Sequence, residues 1–177
     1  EIKRTMEVAE ALDVRVVRIL AEHDFNESQH YIDPEDRITD DLMSLLSDTC
    51  NEVAEHAEKM GMVLAIENHG GTSTAGSKLK ELLDSVPSKA LGVNYDAANL
   101  AWGGHDPYES LMMWKDRVVY THWKDYSCID GKKANRIFGE GQVDYATIMK
   151  EFVESYDGIW AVEYEQKVYI PIEDLVE

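Results

Sequence analysis

Cysteine is scarce in this chain, and no cysteine motif is present. Cys50 and Cys128 are the two cysteines among 177 residues, and they lie far apart in the sequence. Two cysteines in a chain of this length do not make a disulfide framework. This usage predicts a reducing compartment. The chain also opens without a signal-peptide pattern, so we expect a cytoplasmic location.

Basic residues are also scarce. Lys and Arg number 17 against 35 Asp and Glu, which gives a formal net charge of −18, and no run of Lys or Arg offsets it. Such a field repels the phosphates of nucleic acids and anionic membrane surfaces. No apolar run approaches the ~20 residues that cross a bilayer. The sequence therefore predicts neither a nucleic-acid partner nor a membrane partner.

The composition is that of a globular protein with one core. Hydrophobic residues make up 44% and charged residues 29% of the chain, and its length suits a single domain over residues 1–177. Short β-branched runs alternate with segments of helical periodicity. The predicted strands are 14–20, 62–67, 91–96, 117–123 and 159–165. The predicted helices are 2–12, 42–60, 77–86, 107–114 and 145–156, with loops at 21–36 and 124–141. Gly61 is expected to end the second of these helices. Ser77 is expected to cap the third, and Asp106 to cap the fourth with Pro107 at its first position.

This alternation predicts parallel βα units with right-handed crossovers, hence an α/β fold. Two architectures remain open at this point: a doubly wound open sheet, or part of a (β/α)₈ TIM barrel. A complete barrel typically needs ~250 residues. If this chain is a barrel, we expect it to be an incomplete one.

Four residues of metal-ligand type fall at the carboxyl ends of the last four predicted strands. They are Glu67 in MVLAIE, Asp96 in LGVNYD, His122 in RVVYTHW and Glu163 in IWAVEYE, each at or close to the carboxyl end of its run. Strand ends in an α/β fold meet at one rim, where catalytic groups collect. Three carboxylates and one imidazole predict a single divalent cation. Mn²⁺ is the expected ion, with Mg²⁺, Co²⁺ or Zn²⁺ as alternatives.

Each of these residues also has a simpler explanation when taken alone. Glu67 could be a solvent-exposed strand end, Asp96 a turn residue, and His122 a core or turn histidine. Glu163 and Glu165 share one strand face, and we favour Glu163 as the ligand because it is nearer the apolar part of the strand. The coincidence at four strand ends favours the metal site.

Five segments resemble the sugar phosphate isomerase/epimerase family of xylose isomerase-like TIM barrels. They are AIENHGG (65–71), VNYDAANLAWGGHDP (93–107), THWKD (121–125), FGEGQVDY (138–145) and WAVEYEQ (160–166). The resemblance implies that the chain holds barrel strands four to eight. It also implies that the first three strands and most of the last helix are missing. Two unpaired sheet edges would follow, and we expect a homo-oligomer or a longer natural protein.

The same resemblance implies roles for the site residues. Glu67, Asp96, His122 and Glu163 would hold the metal, and the two glutamates would flank the substrate as catalytic acid/base groups. The candidate substrate contacts are His69, Asn99, Lys124 and Arg136. For His69, Lys124 and Arg136, simple solvation is the alternative. Asn99 stands where several relatives have a histidine.

The expected function is a metal-dependent isomerase or epimerase of a sugar, a sugar phosphate or a cyclitol. A glutamate would remove the proton beside a polarised carbonyl, giving a metal-stabilised enediolate. The segment VEYEQ also resembles inosose dehydratase-type members, so dehydration is an alternative. A phosphodiesterase like the AP endonucleases would need more His and Asp ligands. A non-catalytic degenerate barrel is the last alternative.

Overall fold

The computed structural model describes residues 1–21 and 38–165. The strands are β1 (Val16–Leu20), β2 (Val63–Glu67), β3 (Leu91–Asp96), β4 (Val118–Trp123), β5 (Asp125–Ile129), β6 (Lys132–Arg136) and β7 (Ile159–Val162). The helices are α1 (Ile2–Ala11), α2 (Asp40–Met60), α3 (Gly76–Ser85), α4 (Ala97–Trp102), α5 (Pro107–Trp114), α6 (Tyr145–Ile148) and α7 (Lys150–Val153). In these residues, no helix is both long and apolar enough to cross a bilayer.

Five parallel strands form one sheet in the order β1-β2-β3-β4-β7. The sheet curls as an incomplete TIM barrel, which confirms the predicted fold class. Side chains alternate between its two faces. Leu64 and Ile66 enter the main hydrophobic core, whereas Glu67, one residue further on, lies on the opposite face with the candidate ligands.

Several predicted helix ends are confirmed. Gly61 ends α2 in the left-handed conformation, with φ at 64°. Asp106 caps α5 by accepting from the Glu109 backbone N–H, and Pro107 occupies the first turn. The expectation that Ser77 caps α3 is wrong. That helix begins at Gly76, and Ala75 precedes it without a side-chain cap.

Three predicted boundaries differ from the structure. Residues 124–141, predicted as a loop, contain the antiparallel hairpin β5–β6. Its turn is Asp130-Gly131, with both φ angles positive, which is a strong hairpin signal that the polar composition obscured. The predicted helix at 145–156 divides into α6 and α7, and the last strand ends at Val162. The predicted loop at 21–36 lies almost entirely outside the described residues.

Arg117 fixes the start of β4, the strand that carries His122. Its guanidinium donates to the carbonyl oxygens of Leu83, Val86, Ser88 and Leu91 at 2.8–3.3 Å. These carbonyls belong to the end of α3, the connection that follows it and the start of β3. One side chain thus ties β4 to the preceding βα unit.

Replacing Arg117 with Ala should lower the free energy of unfolding by about 3 kcal/mol, because several partly buried carbonyls lose a charged donor. Urea unfolding followed by circular dichroism measures this. The matched control is Arg15→Ala, which removes an exposed arginine whose partner is the exposed Asp13. The control should change little. Equal effects of the two substitutions would contradict the bracing role.

Candidate metal centre

The four predicted ligands meet at one point. Each of Glu67, Asp96, His122 and Glu163 offers one ligand atom, and these atoms all lie within 4.8 Å of one another. Strand register explains the convergence: Asp96 is directly opposite His122 in the β3–β4 pair. The backbone N–H of Glu163 donates to the Trp123 carbonyl at 3.1 Å, which extends the β4–β7 pairing to the ligand itself.

The two carboxylate oxygens of Asp96 have different contacts. Its Oδ1 accepts from the backbone N–H of Asn99 at 3.0 Å and so caps α4. Its Oδ2 is buried and makes no hydrogen bond to any described residue. The ion pair from Lys124 Nζ to this oxygen measures 3.2 Å. Asp96 therefore has a single oxygen available for a cation.

Asn68 holds the backbone of Asp96 in place. Its Nδ2 donates to the Asp96 carbonyl at 2.7 Å, and its Oδ1 accepts from the Asp96 N–H at 2.8 Å. The asparagine is fully buried and continues the β2–β3 pairing beyond the strand ends. Sequence reasoning missed it, although a polar residue directly after the buried Glu67 was a usable signal.

Glu67 is buried and surrounded by hydrogen-bond donors and cations. Its Oε1 lies 3.1 Å from His122 Nδ1 and 3.3 Å from Asn99 Nδ2. Its Oε2 lies 2.5 Å from Arg18 Nε. The same His122 nitrogen is 3.3 Å from Glu163 Oε2, so it lies between the two glutamates. Arg18 was also missed, and the signal was a charged residue inside the apolar run of β1.

Lys124 lies inside the cluster instead of on the surface. Its Nζ is 2.9 Å from Glu163 Oε2 and 2.8 Å from Glu165 Oε2, in addition to the contact with Asp96. The side chain is 4% exposed. Glu163 and Glu165 were predicted to share a face of the last strand, but both lie beyond its end at Val162; both nevertheless contact the lysine. Only Glu163 belongs to the four-residue group.

The other predicted substrate contacts lie at different distances from this point. Asn99 is in the centre, because it touches both Asp96 and Glu67. His69 is half-buried just beyond β2. Arg136 is half-buried on β6, opposite Asp125, and makes no hydrogen bond or ion pair with the four ligands in the part of the chain that the structure describes.

The cluster suits a divalent cation on chemical grounds. Asn94 Oδ1 is a buried acceptor that forms no hydrogen bond with the described residues. Glu67 Oε2 has an ion pair with Arg18, and Asp96 Oδ2 has one with Lys124, but neither oxygen accepts a hydrogen bond of regular geometry from them. Buried acceptors with incomplete hydrogen bonding are costly, and a bound cation would satisfy them. Within the described parts of the chain, four carboxylates, including Glu165, also face only two permanently charged cations, Lys124 and Arg18. The residues present therefore fit the ion.

Mutual interactions shift the ionisation of the cluster. Burial raises the pKa of Asp96 to about 7, against the opposing charge of Lys124. Burial alone would lower the pKa of His122, but hydrogen bonds to Glu163 and Glu67 outweigh it and raise the pKa to about 9. Burial opposes ionisation of Glu163, yet His122 and Lys124 lower its pKa to about 2. Before a metal binds, His122 is therefore protonated at neutral pH.

Comparisons with known proteins identify the family of the chain. The model of the family described as xylose isomerase-like TIM barrel matches residues 1–177. The chain is similar to inosose dehydratase from Geobacillus kaustophilus, with 27% identity over 147 residues, 73% of this chain and 48% of that protein. It spans about half the length of the curated relatives it matches.

Solved structures share the fold. A xylose isomerase-like TIM barrel protein from Mycobacterium smegmatis, in complex with magnesium, has a TM-score of 0.74 and 20% identity, and the match covers 93% of this chain and 59% of that one. A D-tagatose 3-epimerase-like protein has a TM-score of 0.70 and 22% identity, and the match covers 90% and 58%.

The raised pKa of His122 predicts how the metal-free protein responds to pH. An unfolded histidine titrates near ~6.5. The stabilisation from protonated His122 is thus complete below that pH and is lost as pH rises through about 9. The raised pKa of Asp96 acts in the same direction below about 7. In EDTA, the free energy of unfolding should fall by about 2–3 kcal/mol between pH 6.5 and 9.

Urea unfolding across that range measures the slope. His122→Gln should flatten it, whereas His105→Gln, in the loop between α4 and α5, should keep it. A slope that survives in His122→Gln would show that other groups cause it.

Proposed function

Because this chain belongs to the xylose isomerase-like TIM barrel family, we propose that it binds one divalent cation and transfers a proton beside the carbonyl of a sugar or cyclitol. The observation that carries the proposal is the convergence of four ligand atoms within 4.8 Å of one another, in a cluster that has more carboxylates than permanently charged cations among the described residues. Proton transfer of this kind is the first step common to isomerases, epimerases and dehydratases of such substrates.

Glu67, Asp96, His122 and Glu163 would hold the cation. A bound divalent cation polarises a substrate carbonyl and the neighbouring hydroxyl as a Lewis acid. We propose Mn²⁺, because the donor set is three carboxylates and one imidazole, with Mg²⁺, Co²⁺ or Zn²⁺ as alternatives. The magnesium complex of the Mycobacterium smegmatis structure is consistent with a divalent ion on this fold.

The two glutamates have different surroundings and hence different proposed roles. The Glu67 side chain is 1% exposed and is held by His122, Asn99 and Arg18. The Glu163 side chain is 27% exposed at the open end of the cluster. Glu163 would remove the substrate proton, because it is the more exposed of the two proposed ligand glutamates. Glu67 would act from the opposite side as the second acid/base group.

The position at which the proton returns decides the product. Return to the opposite face of the same carbon gives an epimer, and return to the neighbouring carbon gives an isomer. Delivery of the proton to a β-hydroxyl, which then leaves as water while a C=C bond forms, gives a dehydration product. Similarity to the Geobacillus kaustophilus inosose dehydratase supports dehydration as the second candidate. The D-tagatose 3-epimerase-like neighbour supports the fold common to both.

Substrate contacts are proposed for His69, Asn99, Lys124 and Arg136. Asn99 is the best supported, since it already touches two of the proposed ligands. A phosphodiesterase is less well supported. The net charge of −18 opposes a nucleic-acid substrate, and residues 1–21 and 38–165 contain no second cluster of metal-ligand residues.

A deuterium-exchange experiment tests the proton transfer. The protein is loaded with Mn²⁺ and incubated in D₂O with inosose and with a panel of ketohexoses. Proton NMR after removal of the ion then follows the hydrogen beside the carbonyl. We expect exchange with at least one substrate. Exchange should fall at least ~100-fold in Glu163→Gln, which removes the base.

The matched control is Glu154→Gln, an exposed glutamate outside the cluster, which should retain full exchange. Calorimetric titration should show about one Mn²⁺ per chain. A stoichiometry near three would favour the nuclease type instead. Full exchange by Glu163→Gln would remove that residue from the mechanism, and absence of both binding and exchange would favour a non-catalytic barrel.

A further inference from the structure

The ammonium group of Lys124 and the proposed cation require the same oxygen atoms. Lys124 Nζ lies 3.2 Å from Asp96 Oδ2 and 2.9 Å from Glu163 Oε2. Asp96 Oδ2 is the only oxygen of that carboxylate not used to cap α4. A lysine ammonium and a divalent cation that bind the same oxygens repel each other strongly, especially where the side chains are largely buried, as Lys124 and Asp96 are.

The backbone of Lys124 is held firmly, so its side chain alone can adjust. The Tyr145 hydroxyl donates to the Lys124 carbonyl. The next residue, Asp125, accepts from the backbone N–H groups of Tyr126, Gly141 and Val143 at 2.8–3.2 Å. The flexible four-carbon stem of lysine lets the ammonium move while its Cα stays in place.

Glu165 provides a third partner for this ammonium. Its Oε2 is 2.8 Å from Lys124 Nζ, the shortest of the three contacts. Glu165 is not in the four-residue group, and its side chain is 33% exposed, at the open side of the cluster. Asn135 of the β5–β6 hairpin donates to the backbone carbonyl of Glu165 at 3.2 Å, which holds Glu165 near the site.

We propose that Lys124 is a built-in competitor for the metal, and that Glu165 is a positioning residue that draws the ammonium away from Asp96 and Glu163 when the ion binds. This inference rests on the proposed metal site. In the metal-free protein the ammonium neutralises buried carboxylates that would otherwise repel each other. In the metal-bound protein the ion neutralises them, and the ammonium depends on Glu165 alone.

Two consequences follow for metal affinity. Removing the ammonium should tighten binding, because the ion no longer displaces a competitor. Removing the Glu165 carboxylate should weaken binding, because the ammonium then remains between two ligands. Simple loss of a negative charge would also weaken binding, so this single variant does not by itself separate the two explanations.

A double-mutant cycle separates them. If Lys124 does not move, its interaction with Glu165 is the same with and without metal, and the effects of the two substitutions on affinity multiply. If Lys124 moves toward Glu165, loss of the carboxylate costs more affinity when the lysine is present. The cycle comprises the wild type, Lys124→Met, Glu165→Gln and the double variant, each titrated with Mn²⁺ by calorimetry at one pH.

We expect Lys124→Met to bind Mn²⁺ about tenfold or more tightly than the wild type. Glu165→Gln should reduce affinity by a factor about tenfold larger in the wild-type background than in the Lys124→Met background. Lys132→Met removes an exposed lysine from the hairpin and is the matched control, with affinity expected to stay within about twofold. If Lys124→Met does not fold in EDTA, Lys124→Gln replaces it in the cycle.

The outcomes are distinct. Multiplicative effects in the cycle, or unchanged affinity in Lys124→Met, would overturn this inference and leave the proposed metal site intact. Absence of Mn²⁺ binding in all four proteins would overturn the proposed site together with the inference. A Lys124→Met gain and a Glu165→Gln loss that depends on Lys124 would support both.

Discussion

The structure depends on one constraint: several carboxylates are brought together at a single, largely buried site. Parallel strands deliver Glu67, Asp96 and Glu163 to the same rim, together with His122. Carboxylates in such a place are costly unless cations or donors compensate for them. Arg18 and Lys124 supply part of the compensation, and protonation of His122 supplies more while no ion is bound. The negative charge that remains uncompensated favours a bound cation.

Several residues around the site fix the positions of the proposed metal ligands. Asn68 extends the β2–β3 pairing to Asp96, and Arg117 fixes the start of the strand that ends in His122. The buried carboxylate of Asp125 anchors the loop after β6 through backbone N–H groups. None of these residues needs to touch a substrate. Their shared effect is that ligand atoms from different strands keep their separations, as tight cation binding requires.

The proton transfer proposed for the site is common to several reactions, whereas the product depends on the groups that surround the substrate. A carbonyl polarised by a cation and a carboxylate beside it make the first proton transfer available to several reactions. The chain resembles both a dehydratase and an epimerase-like protein over the same fold. Which reaction follows depends on the groups around the substrate, and the α/β barrel scaffold places such groups on loops that vary without altering the strands.

The sequence by itself determined the alternation of strands and helices and the positions of the proposed ligands at the strand ends. Short apolar runs predicted the five parallel strands, and ligand-type residues at the ends of β2, β3 and β4, and just after β7, predicted the metal cluster. Local signals of this kind are readable because strand direction and side-chain alternation repeat along the chain. The sequence signal for the hairpin at 125–136, its Asp-Gly turn, was equally local, but the polar residues around it favoured a loop.

Only the tertiary structure decided how these groups divide their contacts. Lys124, which was predicted to contact a substrate, lies among three carboxylates, one from β3 and two from the segment after β7. Arg18 and Asn68 became relevant because neighbouring strands place them against Glu67 and Asp96. Such pairings join residues tens of positions apart. They depend on register, burial and the direction of each side chain, which spacing along one chain does not specify.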